Sequence, residues 1–199
     1  MKKIFPILAL TFLFASCAKN ETSYEKAIVE YFNKNAKDPK SYESVELKVI
    51  DTITAEDCSK LVIANNNISI AENEMSITNK ENEISKRKLE VNEFKNDKSI
   101  VADLNKSIDS KQNIVNSLIS VNTEYAAENT AMSKFLNNKE TVAYLVLHKY
   151  RLKNGFGALD LVESYFTFNK SNVIINKSEK SSESFESAVK EFKEIYLKK

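Results

Sequence analysis

Cys17 is the residue whose surroundings most directly specify a reaction. It follows Ala15-Ser16, and before these stand Met1-Lys2-Lys3 and an apolar run from Ile4 to Phe14. A basic start, a short apolar core and small residues before a cut form an export signal, and the core is too short to span a bilayer. A cysteine directly after the small residues changes the chemistry. Its sulfur is acylated, a lipoprotein signal peptidase cuts before it, and Cys17 becomes the mature N-terminus. Phe14 stands where such signals usually carry leucine, with Leu13 one step further back. Each buried methylene adds about 0.8 kcal/mol of membrane affinity, so two or three acyl chains anchor a protein firmly. The expectation is a lipoprotein held by a lipid on Cys17 in the bacterial cell envelope, at the outer membrane of a Gram-negative cell, with a soluble body.

The other reactive side chains are few. With Cys17 acylated, Cys58 is a lone thiol in an oxidising compartment, which leaves two readings: a small buried hydrophobe, or a disulfide to a second copy or a partner. His148 is the sole histidine, so neither a His-based zinc site nor a His-paired nucleophile is expected. It falls in a strand-like run, where a structural or exposed role is the expectation. The acids are interspersed with lysines as on solvated faces, without an Asp-rich calcium loop. Gly155 and Gly157, the only glycines, are too few and too close to cradle a phosphate. No catalytic residues, cofactor or metal are therefore expected. The chain has 29 Lys and Arg against 28 Asp and Glu, and losing Lys2 and Lys3 with the signal leaves one acid in excess. Nucleic acid would require a basic surplus gathered on one face, so it is excluded as a partner.

Glycine and proline punctuate a chain, and between Pro39 and Gly155 neither occurs, so most of that stretch should be helical. After a tether at 17–21, Thr22-Ser23-Tyr24-Glu25 has a capping-box pattern, followed by Tyr24, Ala27, Ile28, Tyr31 and Phe32 at helical spacing. Asp38-Pro39 ends that helix. From Ser41 to Ile53 the pattern alternates, with Val45, Leu47 and Val49 on one side of a half-buried strand. Thr54-Ala55-Glu56-Asp57 starts another helix. Later, Thr141 to Leu152 reads as a central strand, Ala158 to Asn169 as a second and Val173 to Asn176 as a third. A last helix carries Phe185, Ala188, Val189, Phe192, Ile195 and Tyr196 as an apolar stripe, with Lys198 and Lys199 at its negative end.

Residues 55–136 are heptad-like. Phe94, Val101, Ile108 and Val115 stand seven apart, with Leu104, Leu118, Tyr125 and Met132 on the companion seam. Earlier, Leu61, Ile68, Met75 and Leu89 share one frame, and Ile70, Ile77, Ile84 and Val91 share another. Asn82, Lys111, Asn122 and Asn129 fall on seam positions, where polar residues fix register at a cost in stability. One straight helix of this length would carry the chain about 110 Å away from the strand it must return to. A bend near 95–99, at Lys95-Asn96-Asp97-Lys98-Ser99, instead gives an antiparallel hairpin about 55 Å long. The fold class is thus α+β: a small antiparallel sheet with N- and C-terminal helices, interrupted by a long antiparallel coiled-coil helical hairpin. Residues 1–16 are the signal, 22–54 and 137–199 the base, and 55–136 the inserted hairpin.

Two short segments of the base, Lys37-Asp38-Pro39-Lys40-Ser41-Tyr42 and Lys153-Asn154-Gly155-Phe156-Gly157-Ala158, resemble a family of uncharacterised Gram-negative lipoproteins and envelope proteins. Members show a helix, a Lys-x-Pro-x-Ser type turn, a strand, and later an Asn-x-Phe-Gly-Ala turn between two strands. The resemblance covers 22–54 and 140–176, leaves the hairpin outside, and implies the α+β fold without an established activity. In structural terms Gly157 supplies a turn geometry barred to other residues, and Phe156 is expected to plug into the core. Two functional classes remain. One is an interaction protein whose hairpin tip (Glu93, Lys95, Asn96, Asp97, Lys98 and Ser99) or arm face meets an envelope protein or another copy. The other is a small-ligand module, marked by an apolar cavity of about 300 Å³ or more under the first helix. Cys17→Ala is expected to abolish fatty-acid labelling and to release or mislocalise the protein; labelling that persists in the variant contradicts the lipoprotein reading.

Overall fold

A computed structural model describes residues 18–197; Cys17, Lys198 and Lys199 lie outside them. The chain is α+β. In order it forms α1 (Ala18–Asn35), a 3-10 turn (Pro39–Ser41), β1 (Glu43–Thr54), α2 (Ala55–Glu93), α3 (Lys98–Ser133), β2 (Thr141–Lys153), β3 (Leu159–Asn169), β4 (Ile174–Ser178) and α4 (Ser181–Tyr196). Two compact units result. The base holds the sheet, α1, α4 and the first turn of α2, and residues 59–138 form the other unit.

The strands are an antiparallel meander in the order β1-β2-β3-β4. Because side chains alternate along a strand, β2 and β3 each present two faces. On one, Val146, Tyr150, Phe166 and Phe168 meet Tyr24, Ile28 and Phe32, which recur every four residues along α1. The rings of Tyr24 and Phe168 lie 4.7 Å apart, and those of Phe32 and Tyr150 4.6 Å apart. Fully burying one such side chain contributes about 1.5–3 kcal/mol. On the other face Ala143, Leu145 and Thr167 are buried, and α4, itself burying Ala188 and Phe192, packs on β2, β3 and β4. Ile174 faces the α1 cluster, whereas its neighbour Ile175 borders a groove with Ser187, Lys190 and Glu191 of α4. The sheet of the base is therefore covered by a helix on each side.

Three local expectations change. The helix α1 starts at Ala18, so residues 18–21 are helical rather than a tether, and Thr22 lies inside the helix rather than at its cap. Nothing in Ala18-Lys19-Asn20-Glu21 breaks a helix, and neither glycine nor proline intervenes. The capping pattern operates instead at Thr54. Its N–H and hydroxyl both donate to Asp57 Oδ2 (3.0 and 2.5 Å), and Asp57 N–H donates back to Thr54 Oγ1 at 3.2 Å. In β1 the simple alternation fails. The pairing with β2 shifts between Ser44 and Glu46, between Val49 and Asp51, and again at Ile53. Each extra residue turns the following side chains to the opposite face, so Val45 and Val49 are exposed, Leu47 is half-buried and Ile53 is fully buried. Phe156 is not a core plug: it is 98% exposed.

The reason lies in the turn that carries it. Asn154 N–H donates to Ala158 O (2.8 Å) and Gly157 N–H to Asn154 O (3.1 Å), which closes a three-residue loop. The Asn154 Oδ1 accepts from Phe156 N–H and Ala158 N–H at 2.9 and 3.1 Å. A turn followed by a left-handed residue is the usual three-residue hairpin connection, and its middle side chain points to solvent. Gly157 supplies the left-handed position, with φ +84°. The β3–β4 turn repeats the device: Asn169 Oδ1 accepts from Ser171 and Val173 N–H (3.0 and 3.1 Å), and Asn172 takes φ +59°.

The two segments that carry the family resemblance also meet. Ser41 Oγ donates to Asp38 O at 2.7 Å and accepts from Lys153 N–H at 3.1 Å, while Lys153 Nζ lies 3.8 Å from Asp38 Oδ2. Asn154→Ala and Asn169→Ala are each expected to cost about 1 kcal/mol, since both leave backbone donors without their acceptor. Gly157→Val is expected to cost about 1–2 kcal/mol through its left-handed backbone. Urea denaturation checks all three, and an unmoved midpoint for Gly157→Val contradicts the turn geometry.

Candidate interaction surface

The chain between the arms bends at residues 94–97, inside the expected span. Asp97 N–H donates to Phe94 O (2.8 Å), and the Asp97 carboxylate caps α3 by accepting from Ser99 and Ile100 N–H at 3.0 and 3.1 Å. An acceptor there satisfies backbone donors that the helix cannot. Glu93, Lys95, Asn96, Asp97, Lys98 and Ser99 are all exposed at the tip, as is Phe94.

Along α3 the inward positions alternate three and four apart, from Val101 and Leu104 through Lys111 and Val115 to Asn129 and Met132, and each is buried or half-buried. That is the seam the spacing predicts. On α2 one frame, Ile70, Ile77, Ile84 and Val91, also turns inward. Its companion is not the apolar frame. Asn66, Asn73, Lys80 and Arg87 occupy the inward places, while Ile68, Met75 and Leu89 are 60%, 65% and 70% exposed, and Asn82 is exposed with them.

Hydrogen bonds between the arms explain the choice. Asn66 Nδ2 donates to Glu128 Oε2 and Asn129 Oδ1 (2.8 and 3.0 Å), and Asn129 Nδ2 donates to Asn67 Oδ1 (2.9 Å). Seven residues further along α2 and seven back along α3, Asn73 Nδ2 donates to Asn122 Oδ1 at 2.8 Å. Closer to the tip, Lys111 Nζ pairs with Glu83, which Lys80 also holds, and the two ammonium groups keep that carboxyl below its ordinary value. Buried polar groups need partners. The polar residues of α3 therefore draw the polar frame of α2 inward and leave the apolar frame outside.

In the base, chemistry-bearing side chains serve packing. His148 is fully buried; Tyr42 Oη lies 2.8 Å from its Nε2 and Glu46 O lies 2.9 Å from its Nδ1. The carbonyl can only accept, so Nδ1 carries the hydrogen and Nε2 accepts from Tyr42. The ring stacks on Tyr150 at 5.3 Å, and Tyr150 Oη pairs with Ser164 Oγ at 3.2 Å. Burial holds His148 below its ordinary value of 6.5, against the smaller opposing pulls of the Glu46 carbonyl and the Glu25 charge. Cys58 is fully buried and burial, aided by Asp57, pushes its thiol up to about 12. That is the setting of a small core side chain. Glu56, buried in the first turn of α2, pairs with Lys139 at 2.5 Å.

Among the described residues no group of histidine, cysteine and acidic side chains is placed to hold a metal, and no helix is long and apolar enough to cross a membrane. Beside α1, a shallow cleft of about 260 Å³ is bordered by Tyr31, Lys34, Asn35, Asn172 and Ile174. A hollow of about 430 Å³ has Glu25, Lys26, Val29 and Glu30 of one helix against it. Both border α1 and mix apolar with charged or amide side chains.

His148 makes the fold sensitive to acid. The folded state binds the proton more weakly than the unfolded chain, so its contribution is complete above pH 6.5 and is lost as pH falls from there towards the lowered folded value. Lysines beside Glu83 and Glu140 hold both carboxyls below their ordinary value, which itself lies below pH 6.5. The unfolding free energy from urea denaturation is expected to hold between pH 8 and 7 and then to fall by up to about 1.4 kcal/mol per pH unit, a slope that His148→Asn removes. An equal slope in that variant assigns the sensitivity elsewhere.

No protein-family profile, curated protein or solved structure matches this chain.

Proposed function

We propose that the chain is a membrane-anchored lipoprotein of the bacterial cell envelope, held by a lipid on Cys17, that works without catalysis by binding another polypeptide through its helical hairpin. The observation that carries this reading is the outward row Ile68, Met75 and Leu89, spaced in heptads along one arm and at least 60% exposed throughout. The seam between the arms is already complete without it. Apolar surface left outside a satisfied seam at a seven-residue period has the form of a second seam. The exposed tip extends the surface available to a partner. The signal-like start and Ala15-Ser16-Cys17 support the anchor.

The small-ligand alternative lacks a comparable support, since the clefts of the base are open and partly polar. Photo-crosslinking amino acids at Met75 and at Asn96 of the full chain, in cells, test the proposal. A discrete protein adduct at either position is expected, and the Met75 adduct should vanish with Ile68→Glu and Leu89→Glu. Absence of any protein adduct at both positions overturns the reading.

A further inference from the structure

We infer that the outward face of α2 pairs with the same face of a second copy, antiparallel, to form a two-fold symmetric dimer; this rests on the reading that the hairpin surface binds a polypeptide.

The face has two rows. One carries Ile68, Met75, Asn82 and Leu89, and the row three residues further on carries Ala71, Thr78 and Ser85, all exposed. A heptad row beside a row of small residues fits another helix, because only a helix presents side chains at the matching period. The face is complementary to itself in one antiparallel register. Setting Leu89 against the partner's Ala71 brings Met75 opposite the partner's Ser85 and Asn82 opposite the partner's Thr78. Leu89 and Met75 then each meet a small side chain, Ile68 stands opposite the partner's Asn92, and the two-fold axis repeats every pair. Asn82, which has no role in the hairpin's own seam, would sit beside the axis facing a hydroxyl, where a polar residue selects register.

Charge agrees with the same register. Along the two flanks of the stripe, acids come first and bases later: Glu72 and Lys86 on one edge, Glu74 and Lys88 on the other. Among the described residues none of these four is in an ion pair, although neighbouring Lys80, Glu83, Arg87 and Glu90 are. An antiparallel second copy places Glu72 against the partner's Lys86 and Glu74 against the partner's Lys88, twice each. A parallel, in-register copy would also pair opposite charges, Glu81 with the partner's Lys86 and Lys88 with the partner's Glu93, but would set large side chains on large and small on small, so the matching of sizes selects the antiparallel direction. Glu81 alone meets its own copy near the axis, one unfavourable contact against four favourable ones. The row is narrow, so the pairing is weak in free solution and gains from anchoring both copies to one membrane, which raises their effective concentration.

The test uses the full chain in detergent, where the buried Cys58 gives little background. Chains carrying Ala71→Cys and chains carrying Leu89→Cys are expected to form a disulfide-linked dimer when mixed, and neither should do so alone. Glu72→Lys should lower the yield severalfold, and Glu72→Lys with Lys86→Glu in one chain should restore it. Self-linking by Leu89→Cys alone indicates a parallel pair and overturns the inference. If the mixture gives no chain-to-chain product while Met75 still captures a different protein, the dimer is wrong and the interaction reading stands. If Met75 and Asn96 capture nothing either, both fail.

Discussion

The hydrogen bond from the Ala55 N–H to the Glu140 carbonyl, 2.9 Å long, is the closure on which the rest depends. It continues the β1–β2 ladder one step past Thr54, at the point where β1 runs directly into α2. Whatever lies between those two residues must begin and end at neighbouring points. Holding the ends of a long insertion together costs little more than holding those of a short one, about 0.6 kcal/mol for each doubling of length. What the closure demands is that the insertion return, and two helices that zip against each other satisfy this at no further cost to the sheet. The Thr54–Asp57 cap then starts α2 abruptly at the strand's end, so strand and helix share a junction without a loop.

Much of this was legible because the signals were periodic. The α3 seam, the bend and all four strands follow from apolar spacing and from the scarcity of glycine and proline. The second α2 seam was misread for a physical reason. Leu61, Ile68, Met75 and Leu89 form a better apolar heptad than Asn66, Asn73, Lys80 and Arg87, and apolarity decides a seam only when the facing helix is apolar as well. Asn122 and Asn129 on α3 already announced that it is not. With the bend at 94–97, they stand opposite Asn73 and Asn66, so register together with polarity would have identified the inward frame. The β1 faces were lost to pairing shifts that leave no trace in composition. Phe156 was misplaced because its position inside a three-residue loop, not its hydrophobicity, decides where it points.

The candidate site divides in the same way. The tip residues were legible as a polar break. The outward row was visible in the sequence but assigned to the wrong partner. In the base, His148, Tyr42 and Ser41 are the residues that an active-site search would single out. They are consumed by architecture: one ring nitrogen held by the Glu46 carbonyl, the other by Tyr42, and the serine hydroxyl bridging Asp38 to Lys153. Segments 37–42 and 153–158 are therefore joints of the base.

The asparagine contacts between the arms have a mechanical consequence. Asn66 with Asn129 and Asn73 with Asn122 are rungs of like chemistry one heptad apart. Sliding α3 by seven residues would therefore keep one rung, Asn73 now facing Asn129, and would lose the bonds of Asn66 to Glu128 and of Asn129 to Asn67 together with the Glu83–Lys111 pair. The heptad spacing of the seam is the same in both alignments, and within the arms only these polar contacts favour the present one. The bend at 94–97, three residues and a cap, fixes it by allowing no slack. It acts as the end stop of a ratchet whose teeth are asparagines, and a backbone cleaved at Lys95 would leave two helices still zipped but free to click past each other by one tooth.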